Sequence, residues 1–130
     1  MIRDLAVVGA GPAGLMAAEV ASAAGLAVDV FDAMPSAGRK FLLAGKGGLN
    51  LTHAEPLADF VGRYRERADV LAPWLRAFGP AQVRAWAGDL GIETFVGSSG
   101  RGFPLDFKAA PLLRAWLHRL RARGVRLHMR

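Results

Sequence analysis

"DLAVVGAGPAG", residues 4–14, joins a short apolar run to three glycines at fixed spacing. Residues 4–8 are aliphatic and β-branched, the pattern of a buried strand. Gly9, Gly11 and Gly14 follow in the order G-x-G-x-x-G, with Ala10, Pro12 and Ala13 between them. Residues 13–24 are rich in alanine and predict a helix that Gly25 ends. Residues 27–32, "AVDVFD", alternate apolar and polar and end on Asp32, 18 residues beyond Gly14. Residues 1–32 thus read as strand, glycine turn, helix and strand, the unit that builds a parallel sheet with a right-handed crossover.

This context makes the glycines specific. The first permits a tight turn, the second lets a pyrophosphate approach the backbone, and the third lets the helix pack closely on the strand. The free N–H groups and partial positive charge of the helix start favour the anion. Asp32, with Ala33 beside it, is placed to accept hydrogen bonds from ribose hydroxyls. A carboxylate there repels a 2′-phosphate, so NADP is disfavoured at this position.

A second glycine-rich stretch, "GRKFLLAGKGGLNLT", covers residues 38–52. It is not a Walker A loop, because Lys40 stands where the first glycine is required and Gly47 where Ser or Thr is needed. Arg39 and Lys40 come just after the second strand and suit the same pyrophosphate. Gly45, Gly47 and Gly48 are suited to a backbone nest around electron-rich atoms, with Asn50, Leu51 and Thr52 continuing it. Phe41, Leu42, Leu43, Leu49 and Leu51 make the stretch too apolar for a flexible surface loop.

Residues 33–56 show no clean period and read as loop. From residue 57 the pattern turns helical. Val70, Leu71, Trp74, Leu75 and Phe78 form one stripe. Gly79-Pro80 then restarts a helix bearing Val83, Trp86 and Leu90, which Gly91 stops. Residues 92–96 predict a strand and 97–104 a turn. A last helix spans 109–122, with Leu112, Leu113, Trp116, Leu117 and Leu120 on one side, and Gly124 leads into a further strand. The three tryptophans sit on apolar helix faces and are expected in the core rather than on a cofactor.

The 130 residues suit one domain, and with 52% hydrophobic residues they can bury a core. The absence of cysteine excludes disulfides, thiolate metal sites and thiol chemistry, and fits a cytoplasmic location. No metal site is expected. The net charge of +6 belongs to one segment: seven cations and no acid follow Asp106, whereas ten cations face eleven acids in the residues up to and including it. A solvated helix face explains that segment, so nucleic acid is not expected as a partner. Residues 5–28 carry only Glu19 as a charge, but their glycines break any membrane span or signal segment, and no membrane partner is expected.

Together the two glycine motifs resemble the FAD-dependent oxidoreductases of the glutathione-reductase-like Rossmann superfamily. More narrowly, the chain resembles the bacterial BaiN-like flavoproteins, NAD(P)/FAD-dependent oxidoreductases. The shared features are Gly9 to Gly14, Asp32, the Gly38-Arg39-Lys40 step, the loop from Gly45 to Thr52, Gly100 to Pro104, and the helix led by Lys108. The wider family carries Gly-Arg-Cys-Asn in the loop, where this chain has Gly47-Gly48-Leu49-Asn50, so neither that arginine nor that thiol is essential here. The resemblance implies FAD as cofactor, with the flavin reaching the glycine-rich loop, hydride transfer, a small-molecule substrate and an NAD(P)H donor. His53 follows that loop, but no catalytic residue is assigned; His118 reads as solvated and His128 as uninformative.

The expected fold is therefore α/β: a Rossmann-like βαβ FAD-binding domain with a parallel sheet, incomplete, and with a helical insertion. Residues 1–53 hold the βαβ unit and glycine-rich loop, 57–91 the helical segment, and 92–130 a strand-turn-helix-strand. Ending at a strand, the chain is expected to be the N-terminal part of a longer protein and to hold FAD weakly by itself. The alternatives are an NAD-dependent dehydrogenase domain and a dinucleotide-binding module without turnover.

Overall fold

The computed structural model describes residues 2–130. Strand β1 (Leu5–Val8), helix α1 (Pro12–Ala23) and strand β2 (Val28–Phe31) come first. Helix α2 (Arg39–Ala44) and the two-residue strand β3 (Thr52–His53) follow. Then come α3 (Leu57–Gly62), a 3-10 turn (Arg65–Arg67), α4 (Ala68–Ala77) and α5 (Pro80–Asp89). Strands β4 (Thr94–Val96) and β5 (Arg101–Pro104), helix α6 (Ala110–Ala122) and strand β6 (Arg126–His128) complete the order. The chain divides into two units: one comprises the chain up to Ala44 together with Ala110–Arg130, the other Gly45–Ala109.

The first unit is α/β. Its sheet runs β1-β2-β6, all parallel, with Leu5 opposite Val28 and Val30 opposite Leu127. Side chains alternate across a strand, and Val28 and Val30 point into a core that holds Leu15 and Ala18 of α1 and Leu112, Trp116 and Leu120 of α6. Helix α1 buries Leu15, Ala18, Glu19 and Ser22, one face at helical spacing. Glu19 is held by Arg119 Nη1 of α6 at 3.5 Å, so one of the seven C-terminal cations pairs with a buried acid. Pro111 lies in the first turn of α6, where its missing N–H is harmless. The reading of residues 4–8 as a buried strand needs correction. Ala6 and Val8 are exposed, because side chains on that side of β1 meet no covering layer among the described residues.

The second unit has an antiparallel sheet, β3-β5-β4, with Thr52 opposite Gly102 and Phe95 opposite Phe103. Phe95, Phe103 and Phe107 cluster with ring centroids 5.2–5.9 Å apart. Two sequence expectations fail here. Residues 97–104 are not all turn: Gly97 N–H meets Arg101 O at 2.8 Å, so the turn closes a hairpin and Arg101–Pro104 pairs as β5. Residues 33–56 are not all loop, since they include α2 and β3. Both elements are too short to show a period in the sequence.

The tryptophans separate. Trp116 is 2% exposed and Trp86 half-buried, but Trp74 is 66% exposed, against the expectation of a core position. Leu71 and Leu75 take the inward side of α4, and Val70 and Trp74 fall on its open side. No helix among the described residues is long and apolar enough to cross a membrane. Trp116→Ala is expected to cost about 3–5 kcal/mol in urea unfolding, whereas Trp74→Ala should stay within about 0.5 kcal/mol of the parent. Equal losses would show that Trp74 is covered in solution.

Candidate functional site

The turn between β1 and α1 uses each glycine for a different reason. Gly9 has φ +105°, a conformation side chains resist, and its N–H donates to Phe31 O at 2.7 Å. At Gly14 a Cβ would lie 1.8 Å from Gly9 O and 3.3 Å from Val7 Cγ1, so any side chain collides with the backbone. Gly11 differs from both. Its φ is −84°, open to any residue, and an added Cβ would meet no atom within 4 Å. Nothing in the chain requires glycine there. No side chain caps α1, and Pro12 at its start has no N–H, so the remaining first-turn donors face outward.

Asp32 closes the site from β2. Its Oδ2 accepts the Ala10 N–H at 2.7 Å and its Oδ1 the Met34 N–H at 2.8 Å. These two donors hold its carboxyl below the ordinary aspartate value of 3.8, helped slightly by the Arg39 charge. Each carboxylate oxygen keeps a second lone pair. Gly38 N–H reaches Ala10 O at 2.8 Å, which ties the Gly-Arg-Lys step to the first turn. Ala10, Gly11, Pro12, Asp32, Arg39 and Lys40 thereby line one cleft of about 280 Å³. Gly9, Asp32 and Ala33 line a second, of about 550 Å³, at the strand ends. Ala13, the second residue of α1, lines neither cleft.

The second cleft also contains residues the sequence did not single out. Phe31 and His128 stack there with centroids 4.7 Å apart. His128 stands beside Phe31 because β6 pairs with β2, and its carbonyl accepts the Asp32 N–H at 3.0 Å. The usable signal was the strand after α6, which the crossover rule sends back beside its parallel neighbours. Met34 and Ser36 were missed as well; Ser36 Oγ accepts from Arg39 Nη1 at 3.1 Å.

The remaining candidates belong to the second unit. Gly48, at φ +122°, donates its N–H to Gly45 O at 3.1 Å and closes a turn around Lys46 and Gly47. A Cβ on Gly45 would come within 2.5 Å of Ala109 Cβ, whereas Gly47 has open space. Leu49 is buried, its N–H bonded to Phe107 O at 2.8 Å, and Leu51 N–H bonds Gly102 O at 2.9 Å. Asn50 is exposed between them and Thr52 pairs in β3. The stretch is anchored rather than loose. His53 has both ring nitrogens engaged: Nδ1 accepts the Glu55 N–H and Nε2 lies by Ser99 O, each at 3.1 Å.

A parallel sheet, a glycine turn into a helix and an acid at the next strand end define a Rossmann-type α/β domain. The chain belongs to the HI0933-like proteins: the family model for their Rossmann domain matches residues 3–130. No curated protein matches the sequence. Among solved structures, the open conformation of a flavocytochrome c3 fumarate reductase superposes with a TM-score of 0.71 at 19% identity, over 98% of this chain and 26% of that one. A 3-ketosteroid-Δ4-(5α)-dehydrogenase from Rhodococcus jostii gives 0.61 at 18% identity, over 98% of this chain and 37% of that one. THI4 of Thermovibrio ammonificans gives 0.59 at 19%, over 98% and 38%. The chain thus spans well under half the length of these structures, and at such identities the likeness is one of fold.

Two outcomes are expected of the turn. Gly14→Ala forces α1 away from β1 and should destabilise by about 3 kcal/mol or more, read as a collapse of the urea midpoint. Asp32→Asn puts an amide donor against a backbone N–H. Because the Asp32 carboxyl is held low, its contribution is complete above 3.8 and disappears as pH falls through the folded-state value. The stability gap between parent and Asp32→Asn should therefore be large at pH 7 and shrink toward pH 3; a gap independent of pH would refute the assignment.

Proposed function

We propose that this chain is the FAD-binding portion of a flavin-dependent oxidoreductase, passing hydride between a nicotinamide donor and a small-molecule substrate. The observation that carries the reading is Gly11. It has no conformational or packing reason to be glycine, yet it stands where a dinucleotide pyrophosphate approaches the backbone. Asp32 supports it, with a lone pair left on each oxygen for ribose hydroxyls. Flavin rather than nicotinamide as the bound cofactor is favoured by the anchored loop at Gly45–Thr52, which a simple NAD fold does not need. The redox names of the fumarate reductase and the dehydrogenase that share the fold agree with it.

The residues fit the group. The turn Gly9–Gly14 and the first-turn N–H groups of α1 would take the pyrophosphate, and Arg39 and Lys40 would balance its charge. Gly47, with open space around it, and the exposed Asn50 would face the flavin end. Bound FAD supplies the chemistry by accepting a hydride and passing it on. The chain's own part is to bind and orient it: Asp32 fixes the ribose and, through Ala10, the turn that meets the phosphates. A cytoplasmic location accords with the cysteine-free sequence.

The test is the absorbance spectrum of the purified intact protein, with heat release and chromatography of bound cofactor. Flavin bands released as FAD are expected. Gly11→Ala should keep the parent's urea midpoint within about 0.5 kcal/mol and lose flavin affinity by about tenfold or more. A colourless protein that takes up NAD but not FAD would overturn the reading.

A further inference from the structure

The second unit contains a cavity of about 390 Å³ that the glycine motifs do not touch. It falls within the size range of small-molecule sites, about 300–1,000 Å³. Leu57, Ala54, Pro80 and Ala81 give it an apolar wall, and Arg76 and Arg84 give it two guanidinium groups. Arg84 is aimed by Thr94: its Nε donates to Thr94 Oγ1 at 3.0 Å and its Nη2 to Thr94 O at 3.4 Å. That leaves the Nη1 hydrogens and one on Nη2 for a ligand. Arg76, on α4, is exposed, lines the same cavity and supplies the second cation.

We propose that this cavity binds a small organic monocarboxylate, its carboxylate on Arg76 and Arg84 and its apolar body against Leu57 and Pro80. The lining selects the charge. Glu55 faces the same cavity, and its carboxylate is bound through both oxygens to Arg63, which holds it ionised and below its ordinary value. Paired with Arg63, the Glu55 charge is neutralised and leaves Arg76 and Arg84 to set the sign of the ligand. Inorganic phosphate has no apolar body to set against Leu57 and Pro80. His53 has both ring nitrogens engaged by neighbouring backbone groups. Gln82 spends its Oε1 on the Gly79 N–H at 3.0 Å, which rigidifies the start of α5 at the cavity rim. The inference does not rest on flavin binding.

Calorimetric titration of the intact protein with benzoate, benzamide and inorganic phosphate tests it. Benzoate should saturate one site, with benzamide and phosphate each about tenfold weaker or more. Arg76→Gln, at an exposed position, should fold normally and weaken benzoate about tenfold, and Arg84→Gln should do the same if it folds. Benzoate binding should also weaken as salt rises. Equal affinity for benzoate and benzamide, tighter binding of phosphate, no binding, or benzoate affinity unchanged in Arg76→Gln would each overturn the proposal.

Discussion

Helix α1 begins so close to β1 that the backbone oxygen of Gly9 occupies the space a side chain at residue 14 would need. That contact sets the first unit. It fixes where the helix starts, and so where its unpaired N–H groups stand at the end of the sheet. It also brings Ala10 within 2.7 Å of the Asp32 carboxylate, so that the turn after β1 is closed by the residue after β2. The Gly38–Ala10 bond extends the closure to the Gly-Arg-Lys step. Three separated pieces of sequence meet because one position has no Cβ.

The three glycines of the turn look alike as letters and are unlike as physics. Gly9 is needed for its backbone angle and Gly14 for its packing, and both needs arise inside the chain. Gly11 satisfies no internal need, and a residue that folding leaves unconstrained points outward, to whatever approaches it. Spacing made all three legible in the sequence, but only the structure separates the two glycines the fold needs from the one it leaves unconstrained. Asp32 was legible too, though its two backbone bonds were not, because hydrogen bonds to Ala10 and Met34 depend on the turn's path rather than on residue type.

Legibility failed where elements are short or where burial depends on neighbours. Helix α6 and strand β2 announce themselves by periodicity, and α1 by its alanine-rich run ended by Gly25. The six residues of α2 and the two of β3 cannot. Strand β5 hid behind Gly100, Gly102 and Pro104, residue types that signal turns; Pro104 is tolerated because it lies beyond the two residues that β3 pairs, with only β4 beside it. Trp74 shows the other failure. A five-residue apolar stripe marks a helix correctly but is wider than the face that the second unit covers, so periodicity alone placed Trp74 inside.

The exposed apolar residues of the first unit follow a pattern that the failure at Trp74 does not. Val8, Phe31 and Met34 are 89%, 41% and 48% exposed, and all three border the clefts that contain Asp32. Scattered exposed hydrophobics need no explanation, but a group gathered around convergent polar atoms does. Phe31 lies on the face of β2 opposite Val28 and Val30, and its ring stacks on His128. On the uncovered side of the sheet they form an apolar rim around a carboxylate and a glycine turn. A ligand with flat apolar rings and a charged middle would satisfy both parts of that surface, which is why the rim and Gly11 count as independent support for a dinucleotide.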